Sequence, residues 1–180
     1  MKTQLFVAVL GLLAGCGVQM PVNEVRGTVR GVALTPADSV FAVTALNGTP
    51  VLYLHMSNQP DACQRLKDSI RAKGSTRLTA NLLAQGGGTL TTGAYNLAAQ
   101  SDGRRVISAA FDQLDQTCNS AIGGPAEAAS GTFNLMSFEA KEGGIATGTF
   151  DLSFGSDRIS GGFRATYCDL SNASGTYTCQ

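Results

Sequence analysis

Residues 147–165 read TGTFDLSFGSDRISGGFRA, and this stretch decides the fold of the chain. A glycine and an aromatic residue stand two positions apart at Gly148 and Phe150, and again at Gly161 and Phe163. Residues two apart on a β-strand share a face, so bare backbone lies beside a large ring. A ring on the neighbouring strand can cover such a glycine, and the sheet can bend tightly there. The stretch therefore predicts two strands of a strongly curved sheet.

The same order of Ser or Thr, Gly, any residue and an aromatic occurs four times. The copies are TGAYNL (92–97), SGTFNL (130–135), TGTFDL (147–152) and SGGFRA (160–165). The last three begin 13 to 17 residues apart, which matches consecutive hairpin strands with turns at Gly143-Gly144 and Ser156-Asp157. This spacing is below the period of ~20–50 residues that marks solenoids and propellers. The repeat therefore predicts an antiparallel meander.

Alternation of apolar and polar residues predicts further strands. They cover residues 25–34, 39–45, 49–56, 76–85, 89–98 and 104–115. Asn47-Gly48 separates the second from the third and supplies the positive φ that a tight hairpin turn needs. The GGG run at 86–88 predicts another turn, and the Gly- and Pro-broken segment 119–130 predicts the longest loop.

Residues 60–73 have a different period, because apolar residues such as Leu66 and Ile70 recur there at helical spacing. A Pro-Asp pair suits the start of a helix, and Lys73 followed by Gly74 suits its end. The pattern predicts one short amphipathic helix over about 60–73.

With 180 residues, the chain fits a single domain with one core. The patterns together predict a mainly β fold, an antiparallel meander curled into a barrel or a sandwich, with the short helix closing one end or face. We expect this domain to cover residues 24–180. Its inward-facing side chains are expected to include Leu97, Phe133, Leu135, Phe150, Leu152, Phe154, Ile159 and Phe163.

The composition excludes one class of partner. Lys and Arg together number 13, as do Asp and Glu, so no net positive field attracts nucleic acid. The 22 glycines and the charged fraction of only 14% are typical of a β-rich protein outside the cytoplasm. We therefore expect no nucleic-acid partner.

The opening residues, MKTQLFVAVLGLLAG, predict an export signal. The apolar run over 5–14 is shorter than the ~20 residues of a transmembrane helix and suits the ~7–15 of a secretory signal. Leu13-Ala14-Gly15-Cys16 then resembles the lipobox of Gram-negative bacterial lipoproteins. In that family the signal is cut before the cysteine, the sulfur receives a diacylglycerol, and the new amine is acylated with a fatty acid such as palmitate.

The resemblance implies both a lipid anchor and a location in the cell. Residues 1–15 would be removed as the signal peptide, and residues 16–23 would carry the lipid on Cys16 and tether the domain to the membrane. Gly17 is not the aspartate that retains such proteins at the inner membrane, which implies the outer membrane, at its periplasmic face or the cell surface. The rest of the chain is similar in layout to a loose group of β-rich envelope lipoproteins, and that group implies no particular activity.

Four more cysteines follow, Cys63, Cys118, Cys168 and Cys179, and an even number in an exported chain predicts disulfides. The polar segment between the last two can turn back, so we expect a local Cys168–Cys179 bridge and, by elimination, Cys63–Cys118. The alternatives pair Cys63 with Cys168 and Cys118 with Cys179, or Cys63 with Cys179 and Cys118 with Cys168. No Cys-x-x-Cys pair occurs and His55 is the only histidine, so we expect no metal site.

The sequence contains no motif for a catalytic nucleophile, a phosphate loop or a cofactor. His55 shares a strand face with Tyr53, which predicts a surface or hydrogen-bonded residue rather than a catalytic base. Four carboxylates are interpreted as solvated turn residues, although a pair ~5–10 Å apart across a groove would allow glycoside chemistry. They are Asp112, Asp115, Asp151 and Asp157. We therefore expect no catalytic residues, no cofactor and no enzyme activity.

The remaining expectation is a membrane-anchored module of the cell envelope that binds or has a structural role. It would present loops such as 119–130 to a protein or glycan partner. The alternative is a small barrel that carries an apolar ligand inside or inhibits an enzyme acting on the envelope. A wide, dry cavity would favour the carrier, and a packed core would favour the module.

Overall fold

The computed structural model describes residues 23–84, 88–97, 105–173 and 175–180. The signal segment 1–15, Cys16 and all but the last residue of the tether lie outside the described residues, as does most of the GGG turn. In the described ranges, the chain forms twelve strands and one helix. These are β1 (Glu24–Thr28), β2 (Asp38–Leu46), β3 (Thr49–Ser57), α1 (Ala62–Lys67), β4 (Ile70–Arg71), β5 (Thr76–Leu83), β6 (Gly93–Asn96), β7 (Arg105–Gln113), β8 (Ala126–Glu127), β9 (Ser130–Ser137), β10 (Ile145–Phe154), β11 (Asp157–Tyr167) and β12 (Thr178–Cys179).

Eight of the strands close into a barrel in the order β2, β3, β5, β7, β6, β9, β10 and β11. Closure comes from a short parallel pairing of β11 with β2, in which Thr166 lies opposite Val40 and Tyr167 opposite Phe41. β1 pairs with β11 outside this ring, β8 pairs with β7, and β4 forms a separate two-stranded sheet with β12. The predicted mainly β fold is confirmed, and the sheet is a barrel rather than a sandwich.

Two hairpins follow the turn residues. The β2–β3 register runs without interruption from Asp38 opposite Ser57 to Leu46 opposite Thr49, and Asn47 and Gly48 have φ of 49° and 79°. This confirms the predicted Asn-Gly turn. The β10–β11 turn lies one residue earlier than predicted, at Gly155-Ser156, because Phe154 already pairs with Asp157. Gly155 has a φ of 68°, a conformation that glycine adopts at little cost.

Gly148 and Gly161 are covered by rings across the β10–β11 pair, as the repeat predicts. Gly148 lies opposite Phe163, and Gly161 lies opposite Phe150. A Cβ atom added to Gly148 would lie 2.6 Å from Cζ of Phe163, and one added to Gly161 would lie 3.1 Å from Cζ of Phe150. Each glycine therefore makes room for the aromatic ring of the neighbouring strand, and the two strands interlock where the barrel wall curves.

Aromatic rings and aliphatic side chains fill the barrel interior. The ring centroid of Phe133 lies 5.5 Å from that of Phe150 and 6.4 Å from that of Phe163. The predicted inward residues on β9, β10 and β11 are all buried, whereas Leu97 is half-buried and packs at the edge of this core. The side chains of Phe41, Tyr95 and Phe111 are also fully buried. The packing density of such a core resembles that of an organic crystal.

Several predicted boundaries are wrong for reasons that lie in tertiary structure. The helix covers Ala62–Lys67 rather than 60–73, because Ser69 has a φ of 54° and the next two residues become β4. Backbone hydrogen bonds from Thr178 to Ser69 and from Gln180 to Arg71 draw that segment into a sheet.

Three other predicted elements differ at their ends. The strand predicted over 25–34 ends at Thr28, because Val29 and Val32 bond to each other across a tight turn. The described part of the strand predicted over 89–98 covers only Gly93–Asn96. The predicted loop 119–130 contains β8, which pairs with β7.

The four cysteines form two disulfides, but the favoured pairing is wrong. Cys63 bonds to Cys168 and Cys118 to Cys179, with Cα–Cα distances of 5.5 and 5.7 Å, so the first alternative is the one observed. Cys168 stays at the barrel, where its N–H donates to the carbonyl of Phe41. The strand that contains Cys179, β12, pairs with β4, and there Cys179 bonds to Cys118 instead of Cys168.

No helix among the described residues has the length and apolar character needed to cross a lipid bilayer.

Replacing Gly148 with alanine tests the interlock between β10 and β11. The added Cβ would meet both the ring of Phe163 and the backbone carbonyl of Asn134, and the backbone has little room to give way. We expect the free energy of unfolding to fall by about 1–3 kcal/mol, the cost of overpacking a tight core. Urea denaturation measures it, with Gly175→Ala as the control, since nothing lies within 4 Å of a Cβ there. A Gly148→Ala protein as stable as the control would contradict the interlock.

Candidate functional site

Polar side chains gather on the outer face of the barrel where β3, β5 and β7 lie side by side. Leu52, Leu54 and Met56 of β3 are fully buried in the core, so the alternate residues Tyr53 and His55 lie on the outer face. The register continues this row, with His55 opposite Thr79 of β5 and Thr79 opposite Ala110 of β7. One step along the strands, Ser57, Arg77 and Asp112 form a second row.

A thin second layer covers part of this face. We call residues 58–75, 169–173 and 175–180 the outer layer; it contains α1, β4 and β12. The Cys63–Cys168 disulfide joins α1 to the end of β11, and the Cys118–Cys179 disulfide joins β12 to the segment after β7.

Noncovalent contacts support the same attachment. A small apolar cluster centred on Val40, Ala62 and Cys168 packs beneath α1. The carboxylate of Asp38 accepts a hydrogen bond of 2.8 Å from the backbone N–H of Ala62, a helix-terminal donor with no partner inside the helix. Both disulfides and this packing therefore fix the outer layer to the barrel.

The gap between the barrel and the outer layer is a cleft, which we call the clasped cleft. Its narrower, partly open end, which we call the enclosed part, has a volume of about 50 Å³ and is lined by side chains that include Tyr53, His55, Arg65, Arg71, Arg77 and Tyr177. A more open part of about 290 Å³ adjoins it through Arg71, Arg77 and Tyr177 and reaches Asp112 and Glu127. The site thus has a small enclosed end and a wider mouth.

His55 and Tyr53 form a neutral hydrogen-bonded pair in the wall of this cleft. The Tyr53 hydroxyl lies 3.2 Å from Nδ1 of His55, whose side chain is only 8% exposed. Burial, and to a smaller extent the nearby charge of Arg77, lowers the pKa of His55 to about 4. Removal from water raises the pKa of Tyr53 to about 12. The prediction of a hydrogen-bonded strand histidine is therefore confirmed.

Asp112 is a buried ion-pair partner, so its interpretation as a solvated turn acid is wrong. The residue is 4% exposed, and its carboxylate accepts a bond of 3.0 Å from Arg77 and one of 2.7 Å from the hydroxyl of Ser120. Sequence patterns miss this because the charge partner lies on β5, in register across the sheet but 35 residues away.

The structure does not bring the other three carboxylates together with Asp112. Asp115 accepts hydrogen bonds from Thr117 and Asn119 in its own turn, which lowers its pKa. Asp151 pairs with Arg158 on the exposed barrel surface, and this arginine holds its pKa below the usual value. Asp157 accepts a bond from the backbone N–H of Arg30. Each of these three acids therefore has partners of its own, and none of them shares the partners of Asp112.

Two arginines of the clasped cleft carry charge without a carboxylate partner among the described residues. The guanidinium of Arg71 lies over the ring of Tyr177, 4.9 Å from its centroid, and its Nε atom is buried with no hydrogen-bond partner in the described parts of the chain. Nε of Arg65 donates to the backbone carbonyl of Pro60. The sequence predicts only that Arg65 and Arg71 lie in the helix over about 60–73, and it predicts no role for Arg77. The fold alone places the three arginines together.

The predicted presenting loop 119–130 is held against the barrel. Arg30 donates from its guanidinium to the backbone carbonyls of Ile122 and Gly124, and the hydroxyl of Ser120 accepts from the N–H of Gly124. The loop is therefore a fixed wall near the open part of the clasped cleft rather than a free arm.

Within the described ranges, no group of three His, Cys, Asp or Glu side chains is arranged to hold a metal ion. No protein-family model, curated protein or solved structure matches the chain.

The buried histidine predicts a specific pH dependence of stability. An unfolded chain binds a proton on His55 below about pH 6.5, whereas the folded chain resists protonation until about pH 4. Protonation therefore favours the unfolded state between these values, and stability falls as the pH falls from 6.5 to 4. The total loss is about 3 kcal/mol, at ~1.4 kcal/mol per unit of pKa.

Urea denaturation at a series of pH values measures this loss. His55→Gln cannot titrate at this position, so between pH 6.5 and 4 its stability should fall by about 3 kcal/mol less than that of the wild type. The fall due to acids with lowered pKa, such as Asp115 and Asp151, is common to both proteins. Tyr53→Phe keeps the histidine, so its free energy of unfolding should still show most of the fall between pH 6.5 and 4. A wild-type profile that runs parallel to that of His55→Gln from pH 6.5 to 4 would contradict the assignment.

Proposed function

We propose that the chain is a lipid-anchored module of the bacterial cell envelope that works by binding at its outer face. The observation that carries this proposal is the filled barrel interior, with Phe41, Phe111 and Phe133 each fully buried. A carrier of an apolar ligand needs an internal cavity of about 300–1,000 Å³. The packed interior therefore supports a binding or structural module over a carrier.

The clasped cleft has the properties of a preformed binding site. Covalent attachment of the outer layer on both sides keeps the gap from opening or collapsing freely. A rigid site loses little conformational entropy when it takes up a ligand, which improves affinity. The open mouth beside Glu127 leaves space for the rest of a larger partner, such as an envelope protein or glycan.

The proposed location rests on two independent features. Disulfides persist in oxidising compartments such as the periplasm and the cell surface. The lipobox at Leu13-Ala14-Gly15-Cys16 leads to the same compartment, and Gly17 favours the outer membrane. We propose that the lipid on Cys16 holds the domain there, with more than one acyl chain giving a stable anchor.

We further propose that the domain is not an enzyme. A general base works best with a pKa near the operating pH, and His55, with a pKa of about 4, is a weak base at neutral pH. The carboxylates of Asp112 and Asp151 are engaged with arginines. Hydrolysis of cell-wall glycans or esters by the purified protein, stopped by alanine at one of the four acids considered above, would contradict this part of the proposal.

Replacing Cys16 with alanine tests the anchor. Wild-type protein should incorporate a labelled fatty acid and sediment with membranes, because the cysteine sulfur and amine carry the acyl chains. Cys16→Ala should incorporate no label and should be either uncut or released. Gly17→Ala leaves the acceptor cysteine in place and should be labelled like the wild type. A labelled, membrane-bound Cys16→Ala protein would show that the anchor lies elsewhere.

A further inference from the structure

The enclosed part of the clasped cleft has more positive charge than its acids balance. Arg65, Arg71 and Arg77 all line it, and only Arg77 has a carboxylate partner there, Asp112. His55 is neutral at pH 7 because its pKa is about 4, so it adds no charge. Two guanidinium charges therefore remain, and no described carboxylate forms an ion pair with either.

Hydrogen-bond donors in this cleft also lack acceptors. Nε of Arg71 is buried and has no partner in the described residues, and leaving a buried donor unpaired costs about 1–3 kcal/mol. When the Tyr53 hydroxyl donates to Nδ1 of His55, the second ring nitrogen carries the proton and becomes a further donor. A ligand that supplies only acceptor oxygens suits a cleft lined by these donor groups.

From these observations, and on the basis of the proposed binding function, we propose that the clasped cleft binds a phosphate group, either as the free ion or at the end of a hydroxyl-bearing molecule such as a sugar. Guanidinium groups match the oxygens of phosphate with paired, charge-assisted hydrogen bonds. A phosphate dianion carries two negative charges and balances both unpaired arginines. A carboxylate carries one negative charge and would balance only one of them. The enclosed volume of about 50 Å³ limits the buried part of the ligand to one small group.

The open part of the cleft indicates what is attached to the phosphate. Glu127 and Thr79 line it together with Arg71 and Arg77. Carboxylate and hydroxyl oxygens there accept hydrogen bonds from hydroxyl groups, whereas the charge of Glu127 repels a second phosphate. These features favour a sugar monophosphate over a diphosphate.

The single histidine of the chain supplies a direct test. Its ring C–H signal can be followed by proton NMR in the full-length protein in detergent, while inorganic phosphate replaces chloride at constant ionic strength and pH 7. We expect a saturable shift with a dissociation constant on the order of 1 mM, typical of a small, weakly held ligand. Bound phosphate should also raise the pKa of His55, because a nearby anion favours the charged imidazole.

Matched arginine variants separate the cleft from general ion effects. Arg71→Met removes one donor group and should weaken phosphate binding about tenfold, the loss expected for a charge-assisted hydrogen bond. Arg158→Met removes an exposed arginine that pairs with Asp151 and should bind phosphate like the wild type. Should Arg71→Met not fold, as judged by its His55 signal, Arg65→Met takes its place with the same expectation.

Two further probes identify the source of the phosphate group. Glucose 6-phosphate should bind at least as tightly as inorganic phosphate when the ligand is a sugar phosphate, whereas preference for inorganic phosphate supports the free ion. Acetate should bind more weakly than either. The proposal is overturned by the absence of a saturable shift, by equal binding in the two arginine variants, or by acetate binding as tightly as phosphate. None of these results would change the lipid labelling at Cys16. The NMR titration therefore tests the phosphate ligand, and the labelling experiment tests the anchored module separately.

Discussion

Two covalent cross-links create the clasped cleft, and the other features of the site depend on them. The helix of the outer layer has six residues, and each of its two strands has two. Elements this short are not stable alone, because a helix nucleus is costly and a two-stranded ribbon is marginal. The disulfides join residues 105 and 61 apart in sequence, and in the chain-entropy model each adds about 4–5 kcal/mol by restricting the unfolded chain. The disulfides therefore supply the stability that these short elements lack on their own.

The barrel determines where a ligand can bind. Reciprocal contacts of Gly148 with Phe163 and of Gly161 with Phe150 let two strands approach closely at a curved part of the wall. The same aromatic residues then fill the interior, which leaves the outside for interaction with partners. On the outer face, the register brings His55, Arg77 and Asp112 into adjacent rows, although they lie on three different strands. A packed core and a polar outer site are thus two results of one pattern of alternation.

Much of the barrel could be predicted from the sequence because its signals are local. Alternation identified the strands, Asn47-Gly48 fixed a hairpin, and the Gly-x-aromatic repeat predicted which residues pack inside. The disulfide pairing could not be predicted, because it depends on the pairing of β12 with β4, two short strands that are far apart in sequence. The helix was predicted too long because Ile70 and Arg71 pair with a strand more than a hundred residues later. The buried role of Asp112 was missed for a similar reason, since its partner Arg77 lies across the sheet.

The most direct test of the central claim is a disulfide map of the oxidised protein. Proteolysis without reduction, followed by mass spectrometry, identifies which cysteine peptides are joined. We expect one peptide pair that contains Cys63 and Cys168 and another that contains Cys118 and Cys179. These links attach α1 and β12 to the barrel at the clasped cleft. A link from Cys168 to Cys179, or from Cys63 to Cys118, would contradict the attachment of the outer layer and therefore the cleft itself.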